Sequence, residues 1–438
     1  MWRRLFRNTD IFLFLIPITL TLIGILFIYS AGVTVTGENT NKYIRQLIWI
    51  AASLVIAVSI LSVDYRRWVE LSNYFYIFGI VLLVLTLLIG KPIRGSKSWF
   101  GIGGLGIQAS EIMKIFTILF LAKYLSNAPV LEKRNQVFLI SSLIIALPLG
   151  LILLQPDLGT SLVYVAIFLA MGYVGMVDTR YIRYLFIVGI IGAVVILLIA
   201  LYKYYLEMGN PPIPLIDILI DFKTLVALAA SLLLYSLFTA IIDFFTPTQW
   251  IKKILPFSIF SGMGFLMASA AIKVLKTYQW KRILVMINPE FDKAGAGYNI
   301  IQSRIAIGSG GIFGKGLFRG TQNQLGFLPE KDTDFIFSII CEELGLIGAI
   351  LVLGLFFLYF SYMYTTIKEA KDKEGALVAL GIFTMFATHL IINTGMVLGI
   401  LPATGLPLPF VSYGGSAYLA FAMGAALLIN IHSRRFIH

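Results

Sequence analysis

Apolar runs long enough to cross a bilayer recur along this chain, separated by short polar stretches. A membrane-spanning helix needs about 20 mostly apolar residues. By that measure twelve segments qualify: 11–30, 46–63, 74–90, 107–125, 138–154, 160–177, 184–201, 224–242, 254–272, 335–362, 375–400 and 413–431. Lipid offers no partners for backbone N–H and C=O groups, so these runs are predicted as helices, which satisfy both internally. The first run follows Arg3, Arg4 and Arg7 like a signal sequence, but its length and eleven successors point to a retained anchor. The pattern predicts an all-α polytopic membrane protein of about 12 transmembrane helices. It divides into an N-terminal membrane half (1–201), a helix pair (202–275), a large polar loop (276–334) and a C-terminal membrane part (335–438). Segment 202–223 reads either as an interfacial amphipathic piece or as a re-entrant turn.

Composition narrows the class. Hydrophobic residues make up 59% of the chain and charged residues 13%, with mean hydropathy +0.90. That is about half the charged fraction of a soluble domain, which excludes a water-soluble enzyme and a disordered chain. Cys341 is the only cysteine, so neither an intrachain disulfide nor a thiolate metal cluster can form.

The net charge of +12 suggests anionic lipid or an anionic substrate, and nothing calls for nucleic acid. The positive-inside tendency places both termini in the cytoplasm, with Arg66, Arg67, Lys133, Arg134, Lys252, Lys253, Lys368, Lys371, Arg434 and Arg435 among the inner cations. Two outer segments run against it. The short one, 91–106, holds Lys91, Arg94 and Lys97, and the long one, 276–334, holds eight cations among glycine-rich turns. Long loops translocate regardless of charge, but a short basic one asks for a reason, and an anion site at the outer face supplies it.

Charges inside spans are costly and mark a cavity or a partner. Glu111 and Lys114, three apart, share a helical face, as a structural ion pair or as part of a site. Asp157 is a candidate third member, binding Lys114. Glu342 and Glu343, two turns into the tenth span, suit a structural hydrogen-bonding role. Glu330, Asp332 and Asp334 crowd the entrance to that span. Asp332 is expected to be a solvated residue compensating a helix dipole. Asp334 leads straight into Phe335-Ile336-Phe337, so its solvation is less assured, and a carboxylate at such a mouth can serve as a general base.

These motifs, in order, resemble those of the SEDS family (shape, elongation, division and sporulation), the RodA/FtsW peptidoglycan glycosyltransferases. The matching stretches are Gly95–Phe100 with Gln108-Ala109-Ser110-Glu111, Gln155–Thr160, Asn288-Pro289 through Tyr298, Ile301-Gln302-Ser303 and Ile305–Gly311. They continue with Phe327–Glu330, Thr333–Phe337, Glu342–Gly345, Leu401-Pro402 and Gly405–Ser416. The wording of 301–311 with Thr321–Leu325 is closer to the elongation branch, RodA, than to the division branch. Three departures stand out: Ala109 replaces the family's proline, Asp332 its histidine, and twelve spans stand where ten are usual. An inserted helix pair in 202–275 accounts for the last and leaves the 276–334 loop extracytoplasmic.

The resemblance implies an inverting polymerisation of lipid II, in the bacterial cytoplasmic membrane during cell elongation, with release of undecaprenyl pyrophosphate. It implies Asp334 as the essential carboxylate. Arg94, Lys97, Lys114 and Arg304 are the candidates to hold the diphosphate, and Trp99 to pack sugar or lipid. Glu111, Asp157 and Glu330 are candidate supports. A divalent cation, Mg2+ or Mn2+, suits a diphosphate substrate, although no ligand cluster identifies one. A single-pass class B penicillin-binding protein is the implied partner. Two rival readings are a lipid II flippase and a non-catalytic scaffold for a transpeptidase.

Overall fold

The computed structural model describes residues 9–33, 40–93, 96–102, 105–128, 133–176, 180–246, 248–274, 277–292 and 295–435. Arg3, Arg4, Arg7 and Arg94 lie outside the described residues. The long helices are α1 (Phe12–Gly32), α2 (Lys42–Ser62), α4 (Ser72–Ile89), α5 (Ala109–Asn127), α6 (Arg134–Leu154), α7 (Leu158–Gly175) and α8 (Arg180–Glu207). They continue as α10 (Phe222–Phe245), α11 (Gln249–Val274), α15 (Ile336–Glu369), α16 (Lys373–Val397) and α17 (Gly415–Ser433). Shorter pieces are α3 (Tyr65–Glu70), α9 (Pro214–Ile220), α12 (Thr277–Ile287), α13 (Ala296–Gly310) and α14 (Thr321–Gln324). Among the described residues, eleven helices are long and apolar enough to cross a membrane. The remaining predicted span, α5, is a 19-residue helix as well, but it carries Glu111, Lys114 and Lys123. The chain is an all-α, multi-pass membrane protein.

The chain divides into two compact units, Met1–Val177 with Asn299–His438, and Asp178–Tyr298. In the first, α5 and α17 are buried along most of their length, which encloses Glu111 and Lys114 of α5 in protein. Around them α16 packs on α5, α7 and α15, and α17 packs on α2. In the second, α8, α10 and α11 pack together, and Trp280 and Leu284 of α12 join Ile199, Ala200 and Leu225 in one cluster. The undecided segment 202–223 contains the short helix α9, which buries none of its residues.

Two features lie outside the hydropathy pattern. Three strands form a small antiparallel meander, β1 (Lys91–Ile93), β2 (Ser96–Ile102) and β3 (Leu105–Gln108). The fourth predicted span therefore begins as a strand and turns helical only at Ala109. The second is a break in α15 at Gly345 (φ 67°, ψ −158°), a region open essentially to glycine alone. The preceding loop fills the break: Lys315 and Gly316 N–H donate to the carbonyls of Glu342 and Glu343, and Leu346 and Ile347 N–H donate to Gly311 and Ile312. A Cβ on Gly310, Gly314 or Gly345 would collide with backbone across this crossing. Gly345→Ala is accordingly expected to cost at least about 1–3 kcal/mol, read as a lower thermal unfolding midpoint in detergent.

The two carboxylates just ahead of the break hold the rest of that loop. Glu342 accepts from Lys315 Nζ (2.8 Å), Thr321 Oγ1 and the N–H groups of Gln322 and Asn323. Glu343 accepts from Ser30 Oγ, Asn323 Nδ2 and Phe318 N–H. Both side chains are fully buried, in agreement with hydrogen-bonding roles.

Candidate active site

Asp334 sits in a tight turn at the head of α15. The carbonyl of Glu330, a residue with φ 54°, accepts from the N–H groups of Thr333, Asp334 and Phe335. Phe335 is then the N-cap of α15. From α16, Asn393 Nδ2 donates to the carbonyl of Asp334 (2.9 Å) and to that of Leu406 (2.8 Å). Asp334 is half-buried, and its Oδ2 stands against Gly405, where a Cβ would come within 3.3 Å. Gly405 has φ +78°, so a side chain there is disfavoured on both counts. Glu330 is half-buried, with Oε2 accepting from Thr333 Oγ1 at 3.3 Å.

Asp332 is not the solvated residue expected. It is 4% exposed and ion-paired at 2.7 Å with Lys42 of α2, and its carbonyl accepts from Tyr413 N–H. Burial became possible because α2 brings a cation to it. Nearby, Lys331 Nζ donates to the Asn323 carbonyl, and burial pushes its pKa below the ordinary lysine value, opposed by Asp332.

Glu111 and Lys114 form the intrahelical pair that their spacing indicates, at 2.8 Å. Lys114 is fully buried, and its second partner is His389 Nε2 of α16, at 2.8 Å. Asp157 is not bonded to Lys114. It caps α7 by accepting from Thr160 N–H and Oγ1, and it accepts from Gln108 Nε2 at 2.7 Å. Both groups meet one segment, 404–407: His389 Nδ1 lies 3.0 Å from the Pro407 carbonyl, and Gly159, two residues past Asp157, lies so close to Thr404 that a Cβ would strike its carbonyl oxygen. Lys114 thus reaches the neighbourhood of Asp334 through His389 and the backbone, and its own ammonium is enclosed.

Arg304, on α13, is exposed and sits at the C-terminal end of α16, donating Nε to the Leu398 carbonyl (3.1 Å) and Nη2 to that of Gly399 (3.3 Å). Leu398 is five residues past Asn393, about 8 Å along the helix axis. Trp99 pairs with Lys91 and Gln108 in the meander, with its ring over Gly106, and Gln108 is the residue that reaches Asp157. Lys97 lies on β2, and Arg94 is outside the described residues. Among the described residues no group of three His, Cys, Asp or Glu side chains could hold a metal.

Lys42, His389 and Asn393 were not singled out by sequence reasoning. The signal for two of them was present: a histidine and an asparagine four apart in an otherwise apolar span mark a polar face turned inward.

Comparison with known proteins agrees along nearly the whole chain. The profile of the FtsW/RodA/SpoVE family, described as cell cycle protein, matches residues 10–208 and 218–436. The peptidoglycan glycosyltransferase RodA of Treponema pallidum (strain Nichols) is 38% identical over 434 residues, covering 97% of this chain and 98% of its own. The peptidoglycan glycosyltransferase MrdB of Escherichia coli (strain K12) is 32% identical over 423 residues, covering 96% and 94%. Among solved structures, a chain from a peptidoglycan synthase complex that coordinates polymerization and crosslinking superposes with TM-score 0.67 at 23% identity, covering 98% of this chain and 99% of that one. The rod shape determining protein RodA of Thermus thermophilus superposes with TM-score 0.61 at 21% identity, covering 98% of each; these two likenesses speak to the fold. The chain belongs to the FtsW/RodA/SpoVE family.

Proposed function

We propose that this chain is a peptidoglycan glycosyltransferase that polymerises lipid II into glycan strands during elongation, with Asp334 as general base. The 4-hydroxyl of the acceptor sugar gives its proton to Asp334 and attacks the anomeric carbon of the donor, whose bond to undecaprenyl pyrophosphate breaks. An α-linked donor yielding a β-1,4 product requires inversion, and so a single displacement with one base. The observation that carries the reading is the placement of Asp334: a partly exposed carboxylate, in a turn held by Glu330 and Asn393, against a bare glycine backbone. A base must reach its proton within hydrogen-bonding distance, and a partly exposed carboxylate can do so.

The departing diphosphate develops negative charge, which positioned cations stabilise. Arg304 is the best-placed candidate: two carbonyls orient its guanidinium while the group stays exposed. Arg94 and Lys97 supply further charge in this reading, and Trp99 an apolar face. No step uses a resident metal. The basic outer segments favour an extracytoplasmic site on a bacterial inner-membrane protein, and the synthase-complex relative favours a class B penicillin-binding protein as partner. The test is strand synthesis from lipid II by the purified chain and by Asp334→Ala. Polymer from the first alone supports the reading. Polymer from both removes Asp334 as base, and polymer from neither favours a flippase or a scaffold.

A further inference from the structure

Helix α16 carries two fully buried polar side chains, His389 and Asn393, four residues apart and so on one face. Both hold backbone of the 404–407 segment. His389 Nδ1 meets the Pro407 carbonyl and its Nε2 meets Lys114 Nζ. A carbonyl only accepts and an ammonium only donates, so the ring is the Nδ1–H tautomer, donating to Pro407 and accepting from Lys114. Lys114 in turn donates to Glu111. Asn393 donates from one amide nitrogen to the carbonyls of Leu406 and Asp334. Turning that amide over would set its oxygen against two other oxygens, so its orientation follows from its neighbours.

We infer that His389 and Asn393 act together as positioning residues for Asp334, on the reading of Asp334 as base. Asp334 lies in a turn, just ahead of the first helical hydrogen bonds of α15, so the helix alone does not fix the direction of its side chain. Asn393 ties the peptide of Asp334 to that of Leu406, directly beside Gly405, the residue its Oδ2 faces. The chain Glu111–Lys114–His389 holds the next carbonyl of the same segment, at Pro407. The carboxylate and the backbone it leans on are thereby held in register by one helical face. A displacement of about 1 Å in a reacting group can cost about 100-fold in rate.

The experiment uses the full-length chain in detergent with lipid II, following initial rates of strand formation. Asn393→Ala and His389→Phe are each expected to lower kcat about 10–100-fold with little change in KM. His389→Asn, which keeps a donor near the Nδ1 position, recovers part of the rate. In an Asp334→Ala background Asn393→Ala has no further effect, because both act through one carboxylate. Should Asn393→Ala fail to fold, Asn393→Thr, with a single donor, is expected to give an intermediate rate. Undiminished kcat in the folded variants, beside an inactive Asp334→Ala, overturns the positioning role and leaves the base in place. A rise in KM with kcat unchanged also overturns it, by moving the pair into substrate binding. Full activity in Asp334→Ala overturns the base reading itself.

Discussion

Asp334→Ala loses polymerisation by about 10²–10⁴-fold, the usual contribution of a general base, while its thermal unfolding midpoint stays near that of the unaltered chain. The two halves of this result have separate causes. Two backbone hydrogen bonds hold residue 334, from its N–H to Glu330 and from Asn393 to its carbonyl, and alanine keeps both. What disappears is the half-buried carboxylate that acts as proton acceptor in this reading. Asp334→Asn is the sharper version, since it keeps the shape and removes the basicity. A base works only when unprotonated, so the rate of the unaltered chain falls as the solution is made acid. A nearby cation favours the charged form of a carboxylate, and Lys331 is the cation nearest to Asp334 along the chain. Lys331→Ala is therefore expected to move the acid limb of the rate profile to higher pH, measured as initial rate against pH.

Lys114→Met has the largest expected effect on stability. It leaves Glu111 buried without its cation, and removing one partner of a buried pair costs about 3–5 kcal/mol. The measurement is the thermal unfolding midpoint in detergent, compared with Glu111→Gln/Lys114→Met. The double variant removes both charges and is expected to recover much of the loss, because a buried ion pair contributes little beyond a well-packed neutral pair of similar volume. Equal destabilisation in single and double variants would show that Lys114 acts on its surroundings and not on Glu111.

How far the candidate site was legible differs from residue to residue. The Glu111–Lys114 pair could be read from spacing, because residues three apart on a helix are neighbours whatever surrounds them. The buried roles of Glu342 and Glu343 could be argued from their depth in a span. Asp334 was named through its motif, and nothing in its immediate sequence says that Glu330 and Asn393 hold it. Asp332 was misjudged because its partner, Lys42, lies 290 residues away. The same distance problem hid His389, 275 residues from the lysine it bonds.

Which stretches of the chain become the long helices was decided by the sequence alone, since a bilayer of fixed thickness selects for the length of apolar runs and forces them to be helical. It also determined that α5 would turn inward, because lipid does not accept its charges. Tertiary structure alone decided which faces meet: the break at Gly345 where a loop's backbone takes over the helix's own hydrogen bonds, the meander ahead of α5, and the convergence of α7, α16 and the turn before α15 on residues 404–407. Those outcomes depend on close approaches between segments far apart in the chain, for which local periodicity carries no signal.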